Sequence, residues 1–289
     1  MRCGYEKKFK KQKIEGTGTR VAKNLISGIL ILYSSLSLFL IGNTLLSSFK
    51  TKSDLIENTI GWPNSFTLEN YKVVLGEEHF FRYFLNSVIL VGISLLCLEI
   101  ISSMVAYGLA QYKFKGKSFM QMYFMLGLMF PIQLGILPLF IMLTKVHLNN
   151  NLLGLVLIYT ANLSFPVLTF SKFFQELPVS VIESARIDGA SEFQIYTRMV
   201  LPISKPVIFT VGLINFVQLW NDFFMPLVFL TKTNVRTLTL AVYSYSANFL
   251  ANWNKIFAAA AIALVPVVII YFMFSEQIVA GLTGGSVKE

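Results

Sequence analysis

Hydrophobic and polar positions along the chain fall into long blocks, not into the strict alternation of a half-buried strand. Six stretches, at about residues 24–46, 84–110, 118–143, 152–174, 206–230 and 253–279, run for 20 or more residues with few charges. A helix rises about 1.5 Å per residue, so roughly 20 residues cross a hydrocarbon core about 30 Å thick. Each block is read as one transmembrane helix, and the expected fold class is all-α: a polytopic membrane protein with six transmembrane helices. Composition agrees. The chain is 55% hydrophobic and only 13% charged, about half the charged share of a soluble domain.

Between the blocks, the polar residues divide unevenly. Eight of the 24 Lys and Arg residues precede Asn24, in "MRCGYEKKFKKQKIEGTGTRVAK". An even number of spans puts both chain ends on one side. The segments on that side hold sixteen Lys and Arg, whereas the loops 47–82, 144–151 and 231–255 opposite hold eight over a similar total length. Cytoplasmic loops carry the excess of basic residues, so both termini are expected in the cytoplasm. The domains read as a basic arm (1–23), a six-helix membrane domain (24–279) that includes a polar loop (175–205), and a tail (280–289). The net charge of +9 thus reflects membrane topology; no aromatic or Gly-rich pattern accompanies the arm, so nucleic acid is not an expected partner. Nor does the arm look like a cleaved leader, because the apolar stretch behind it is too long and lacks a small-residue cleavage site.

Opposite the arm, "SFTLENYKVVL" offers Thr67 as the cap of a short helix, with Glu69 near its positive end. The loop "TKTNVRTLTLAVYSYSANFLAN" (231–252) is long enough to be a binding loop. Cys3 and Cys97 lie in the arm and in a span, which makes a disulfide between them implausible, and His79 and His147 lack metal-ligand spacing.

The most informative polar stretch is "ESARIDGASEFQIYTRMVLPISKP", Glu183 to Pro206. Pro178, Ser180 and Glu183 suggest an entry turn with a capping box. A short helix over 181–188 then stops at Gly189, the residue suited to a left-handed C-terminal position. Ser191 with Gln194 forms a second capping box, and the following helix is expected to run to Leu201, where Pro202 discourages continuation. Ser184, Ala185 and Ala190 are small enough for another protein to approach the backbone, and Glu183, Arg186 and Asp188 add charge that would fix register. A solvated connector between two spans accounts for the same residues.

This stretch resembles the "EAA" signature of the membrane subunits of bacterial ABC importers: Glu183-Ser184-Ala185, then Gly189, then Leu201-Pro202, with Asp188-Gly189-Ala190 matching the common "DGA" form. Ser184 stands where Ala is usual. Much of the chain is similar to the second membrane subunit of the maltose-type sugar permeases. "FTLENY" (66–71), Asn86-Ser87, "FPIQLGILPLF" (130–140), "WNDFFMPLVF" (220–229, with Asp222 where Glu is usual) and "GLTGGSVKE" (281–289) occur in the family's order. The arm before Asn24 shows no match. The resemblance implies a plasma-membrane permease subunit for a carbohydrate, an oligosaccharide in particular. It implies as partners a second homologous permease, two copies of an ATPase and an extracytoplasmic binding protein. It further implies that the helix bearing Glu183, Ser184, Ala185, Asp188, Gly189 and Ala190 couples the spans to that ATPase. Non-sugar cargo of the same family and a self-contained secondary carrier stay open as alternatives.

No cofactor is expected on this chain, and ATP is expected to be used by the partner subunits. Gly116-Lys117-Ser118 is not a phosphate-binding loop, because the Gly required five residues before the second is Gln111 and no strand precedes it. No Ser/His/Asp or Cys/His set suits nucleophilic catalysis, so no enzymatic activity is expected of this chain. A carboxylate at mid-bilayer costs about 2.5–3.5 kcal/mol, so Glu99 and Asp222 are expected to face protein or water. Glu99 is read as pairing within or between subunits. Asn215, Gln218, Asn221 and Asp222 form a polar stripe that either lines a translocation path, bonds a partner permease or repairs a backbone break near Pro226. Pro131 is expected to kink the third span.

Overall fold

The computed structural model describes residues 17–76, 79–246 and 249–283, with side chains given for 23–76, 79–246 and 253–275. Cys3, most of the basic arm and the last six residues of the tail lie outside the described residues. Every regular element among the described residues is helical. The chain runs through α1 (Thr17–Ser47), the short α2 (Lys52–Glu57) and α3 (Glu69–Gly76), and α4 (Phe80–Gln111). Next come α5 (Lys117–Met129), α6 (Ile136–Lys145), α7 (Leu152–Thr160) and α8 (Ser164–Gln175). α9 (Val179–Ile187), α10 (Glu192–Ile195), a π-helical turn (Tyr196–Val200) and α11 (Leu201–Ile203) lead into α12 (Lys205–Asn221). The last elements are α13 (Phe224–Phe229), α14 (Leu238–Tyr245) and α15 (Phe249–Thr283).

Three stretches among the described residues, Lys23–Ser47, Phe80–Gln111 and Trp253–Ser275, are single helices long and apolar enough to cross a membrane, and the count reaches six when each of three bent helix pairs is taken as one span. The bends have local causes. α5 and α6 meet at 91° across Pro131, which supplies no amide donor and cannot continue α5. α7 and α8 meet at 42°; Pro166 in the first turn of α8 prevents an unbroken helix through residue 162. The hydrophobic pattern gives no hint of that second break, because both halves are apolar. The fifth crossing is α12, set at 76° to the 192–203 helix and continued by α13 after a break at Asp222-Phe223.

α4 is the central post, packed against α7, α8, α12 and α14. At one end of the bundle, Asn70 Nδ2 donates to the carbonyls of Ser48 (2.8 Å) and Lys50 (2.7 Å), while its Oδ1 accepts from Asn254 Nδ2 at 2.7 Å. Asn86 Nδ2 donates to the carbonyls of Asn234 (3.1 Å) and Arg236 (2.9 Å), and Ser87 Oγ accepts from the Leu238 amide at 2.8 Å. Asn150 Oδ1 accepts from Thr231 Oγ1 and the Lys232 amide, each at 2.8 Å. The three loops expected on one side by charge are therefore tied to one another. Thr67 Oγ1 accepts from the Glu69 amide (3.1 Å) and starts α3, as its sequence suggests.

Candidate functional site

The opposite end is built by α4, α8, α9 and the 192–203 helix. α9 starts at Val179 with Pro178 as its N-cap and no side-chain cap, so the Ser180–Glu183 capping box expected from sequence does not form. Pro178 explains this: its fixed φ already starts the helix two residues earlier. The other end of α9 is as read. Gly189 has φ +81°, and the Gly189 and Ala190 amides donate to the Arg186 (3.1 Å) and Ala185 (3.0 Å) carbonyls. This is the double bond pattern of a Schellman cap, which requires a left-handed residue at that point. Ser191 and Gln194 form the second capping box, Ser191 Oγ accepting from the Gln194 amide and Gln194 Oε1 from the Ser191 amide.

Beyond Gln194, the helix does not stop at Leu201. It passes through Pro202 by widening into a π-helical turn, in which the Leu201 amide donates to the Tyr196 carbonyl five residues back. An α-helical turn would drive the Pro202 ring into the carbonyl of Arg198, and the wider turn relieves that clash. The buried Ser204 then closes the bend, its hydroxyl donating to the Val200 carbonyl at 2.6 Å.

α9 lies across the bundle end with one face inward. Ile182 and Ala185 are buried with Tyr107 of α4, Phe170 and Phe174 of α8, and Val207 and Val211 of α12. Glu183, Ser184, Asp188 and Gly189 are exposed, and Ile187 is 86% exposed. This corrects the sequence reading on one side chain: Ala185, 8% exposed, faces the core of its own chain, and Ala190 packs partly against the same cluster. Of the three small residues, Ala185 alone is fully buried, Ala190 is half-buried and Ser184 stays outward. The outward face is instead made by Glu183, Ser184 and Ile187, and the sequence analysis singled out no role for Ile187.

A polar tie reinforces the apolar seat. Arg186 Nε donates to Glu192 Oε1 at 2.7 Å and its Nη2 to Oε2 at 3.3 Å, while the Tyr107 hydroxyl donates to Oε2 at 2.8 Å. The Arg186 guanidinium chiefly, with the Tyr107 and Tyr112 hydroxyls, lowers the Glu192 pKa to about 2 against an opposing push from burial. One helical turn earlier on α4, Ser103 Oγ and the Tyr196 hydroxyl share a buried 2.7 Å hydrogen bond.

The polar stripe of α12 splits in two. Asn215 is buried and donates to the Val211 carbonyl of its own helix at 2.8 Å. Asp222 Oδ1 accepts from the Phe224 (2.9 Å) and Met225 (3.3 Å) amides and so caps α13; its Oδ2 accepts from the Tyr159 hydroxyl at 2.8 Å. These two residues, seven apart, turn toward protein, whereas Gln218 and Asn221 are exposed. Of the readings left open for Asp222, the geometry favours repair of the backbone break. Glu99 stands half-buried beside Gly212, where a Cβ would lie 2.5 Å from its Oε1. The two line a largely apolar cavity of about 210 Å³ between α4, α12 and α15. Among the described residues, no cluster of His, Cys, Asp and Glu could hold a metal ion.

Residues 99–283 match the family described as "Binding-protein-dependent transport system inner membrane component". The chain is similar to the diacetylchitobiose uptake system permease protein NgcG of Streptomyces coelicolor, 33% identical over 90% of this chain and 87% of that one. It is also similar to the probable starch degradation products transport system permease protein AmyC of Thermoanaerobacterium thermosulfurigenes, 33% identical over 85% and 89%. Its fold superposes on that of a bacterial ABC transporter involved in import of the acidic polysaccharide alginate. The TM-score is 0.78 at 20% identity, covering 90% of this chain and 98% of that one. The bundle with its outlying α9, and the residues matched, make this chain a member of the binding-protein-dependent transport system inner membrane component family.

Proposed function

We propose that this chain is the permease subunit of an ABC importer for a carbohydrate of oligosaccharide size, with α9 as its coupling helix. The observation that carries this reading is the two-faced seating of α9: Ile182 and Ala185 are buried in a cluster with residues of α4, α8 and α12, while Glu183, Ser184, Ile187 and Asp188 are exposed for a groove on another protein. Family membership and the relatives' sugar substrates support the cargo class. Two ATPase subunits bind and hydrolyse ATP, a second homologous permease completes the path, and an extracytoplasmic binding protein delivers the sugar to the tied loops at the far end. Both termini and α9 face the cytoplasm, as the Lys and Arg distribution directs.

Closing of the ATPase pair moves α9, and its apolar seat obliges α4, α8 and α12 to follow. Because packed interfaces are bistable and not freely deformable, a small displacement there becomes a rocking of the spans. Gln218 and Asn221 line the path, and Asn215 and Asp222 hold its backbone. Co-expression with the proposed partner subunits tests the reading. A tagged chain should bring down an ATPase and support uptake of labelled oligosaccharide; a chain that purifies alone and transports without ATP contradicts it.

A further inference from the structure

Apolar burial is non-directional, so the seat of α9 carries force to the spans, while its register on them calls for a directional contact. What fixes the register of α9 on the bundle is Glu192, whose two oxygens reach separate elements. Oε1 is held by Arg186 of α9 at 2.7 Å, and Oε2 is shared between Arg186 at 3.3 Å and the Tyr107 hydroxyl of α4 at 2.8 Å. Arg186 and Glu192 are brought face to face by the turn at Gly189, so the ion pair also closes the α9–α10 hairpin. Tyr107 in turn stacks at a tilt on Tyr196, ring centroids 5.4 Å apart, and Tyr196 bonds Ser103 one turn along α4. With side chains 38% and 41% exposed, the pair contributes little to stability; its geometry, forked and charge-assisted, specifies position.

We propose that Glu192 is the positioning residue that transmits movement of α9 to α4, through the chain Arg186–Glu192–Tyr107. This rests on the reading of α9 as the coupling helix and extends it: the stroke enters the membrane domain at the end of the second span. Without the tie, α9 still docks on the ATPase, but part of each stroke is lost as slippage between α9 and α4.

The test uses the assembled importer in proteoliposomes with its binding protein, and reads ATP hydrolysed per sugar taken up. Glu192→Gln keeps the size of the side chain and removes its charge; Tyr107→Phe removes one hydroxyl and leaves Arg186 paired. Each should raise the ratio about fivefold, the scale of one partly exposed hydrogen bond of about 1 kcal/mol. Co-purified ATPase and KM for ATP should stay at wild-type values, which a merely structural defect would not leave untouched. The double variant should be no worse than the worse single one, because both cut the same link. Exchange of the pair, Arg186→Glu with Glu192→Arg, should recover part of the coupling lost in Glu192→Gln. A wild-type ratio in Tyr107→Phe and Glu192→Gln overturns the proposal, as does a loss of ATPase binding that tracks the loss of transport in both. Failure of the wild-type complex itself to hydrolyse ATP when sugar-loaded binding protein is added would instead strike the underlying reading.

Discussion

Ile187 offers the sharpest perturbation of the outward face of α9. Its side chain is 86% exposed, so Ile187→Ala removes three carbons that touch little in the chain itself. In the docked complex those carbons would be buried, at about 0.8 kcal/mol per CH₂, less what residual contacts recover. A loss of about 2 kcal/mol corresponds to roughly 30-fold in affinity for the ATPase. The assay is titration of detergent-solubilised permease with the ATPase, followed by fluorescence, beside a thermal melt of the permease alone. The melt should not move. Ala185→Leu supplies the control: that side chain points into the cluster with Phe170 and Phe174, where overpacking costs about 1–3 kcal/mol and lowers the melting temperature. Wild-type affinity in Ile187→Ala, or a shifted melt in Ile187→Ala and none in Ala185→Leu, would refute the assignment of the two faces.

Gly189→Ala meets no atom within 4 Å, so its whole penalty is the left-handed backbone, about 1–2 kcal/mol; it should lower coupling mildly in the uptake assay, and Gly189→Pro should abolish it. Asp222→Asn keeps the shape but weakens both the α13 cap and the bond from Tyr159; a loss of about 1–3 kcal/mol should appear as a lower melting temperature and reduced uptake with ATPase binding intact. Glu192 has its pKa lowered to about 2 from the ordinary 4.5, so its contribution is complete above about 4.5 and is lost as pH falls through about 2. The coupling ratio of the wild-type importer should therefore show no titration attributable to Glu192 between pH 5 and 8, and a Glu192-dependent step in that window would contradict the pairing with Arg186.

The sequence carries local chemistry more faithfully than orientation. Gly189, Ser191 and Gln194 act through bonds to neighbours within a few residues, so their roles could be read directly. Six spans follow from block length, although the hydrophobic pattern hides the break between α7 and α8, where apolar residues stand on both sides and Pro166 alone marks it. The start of α9 was misplaced because two signals compete, and the fixed φ of Pro178 prevails over the Ser180–Glu183 box. Ala185, expected to meet a partner, turns inward, and Ile187, to which the sequence analysis gave no role, turns outward: which face of an amphipathic helix looks inward depends on Phe170, Phe174 and Tyr107, which are distant in sequence. Glu192 carries no sequence signal beyond its place after the Ser191 cap, and only the fold brings Tyr107 to it. Asn86-Ser87 was legible as a family trait but not as the clamp on the 231–238 loop that the structure reveals.

The central claim is that the outward face of α9 meets an ATPase on the inner side of the membrane. In a cysteine-replacement background with Cys3 and Cys97 changed to Ser, a cysteine at Ile187 should cross-link to the co-expressed ATPase and react with thiol reagents only from the cytoplasmic side, while one at Ala185 should do neither efficiently. Labelling of the Ile187 cysteine from outside intact cells, or a cross-link to ATPase from Ala185 in preference to Ile187, would contradict it.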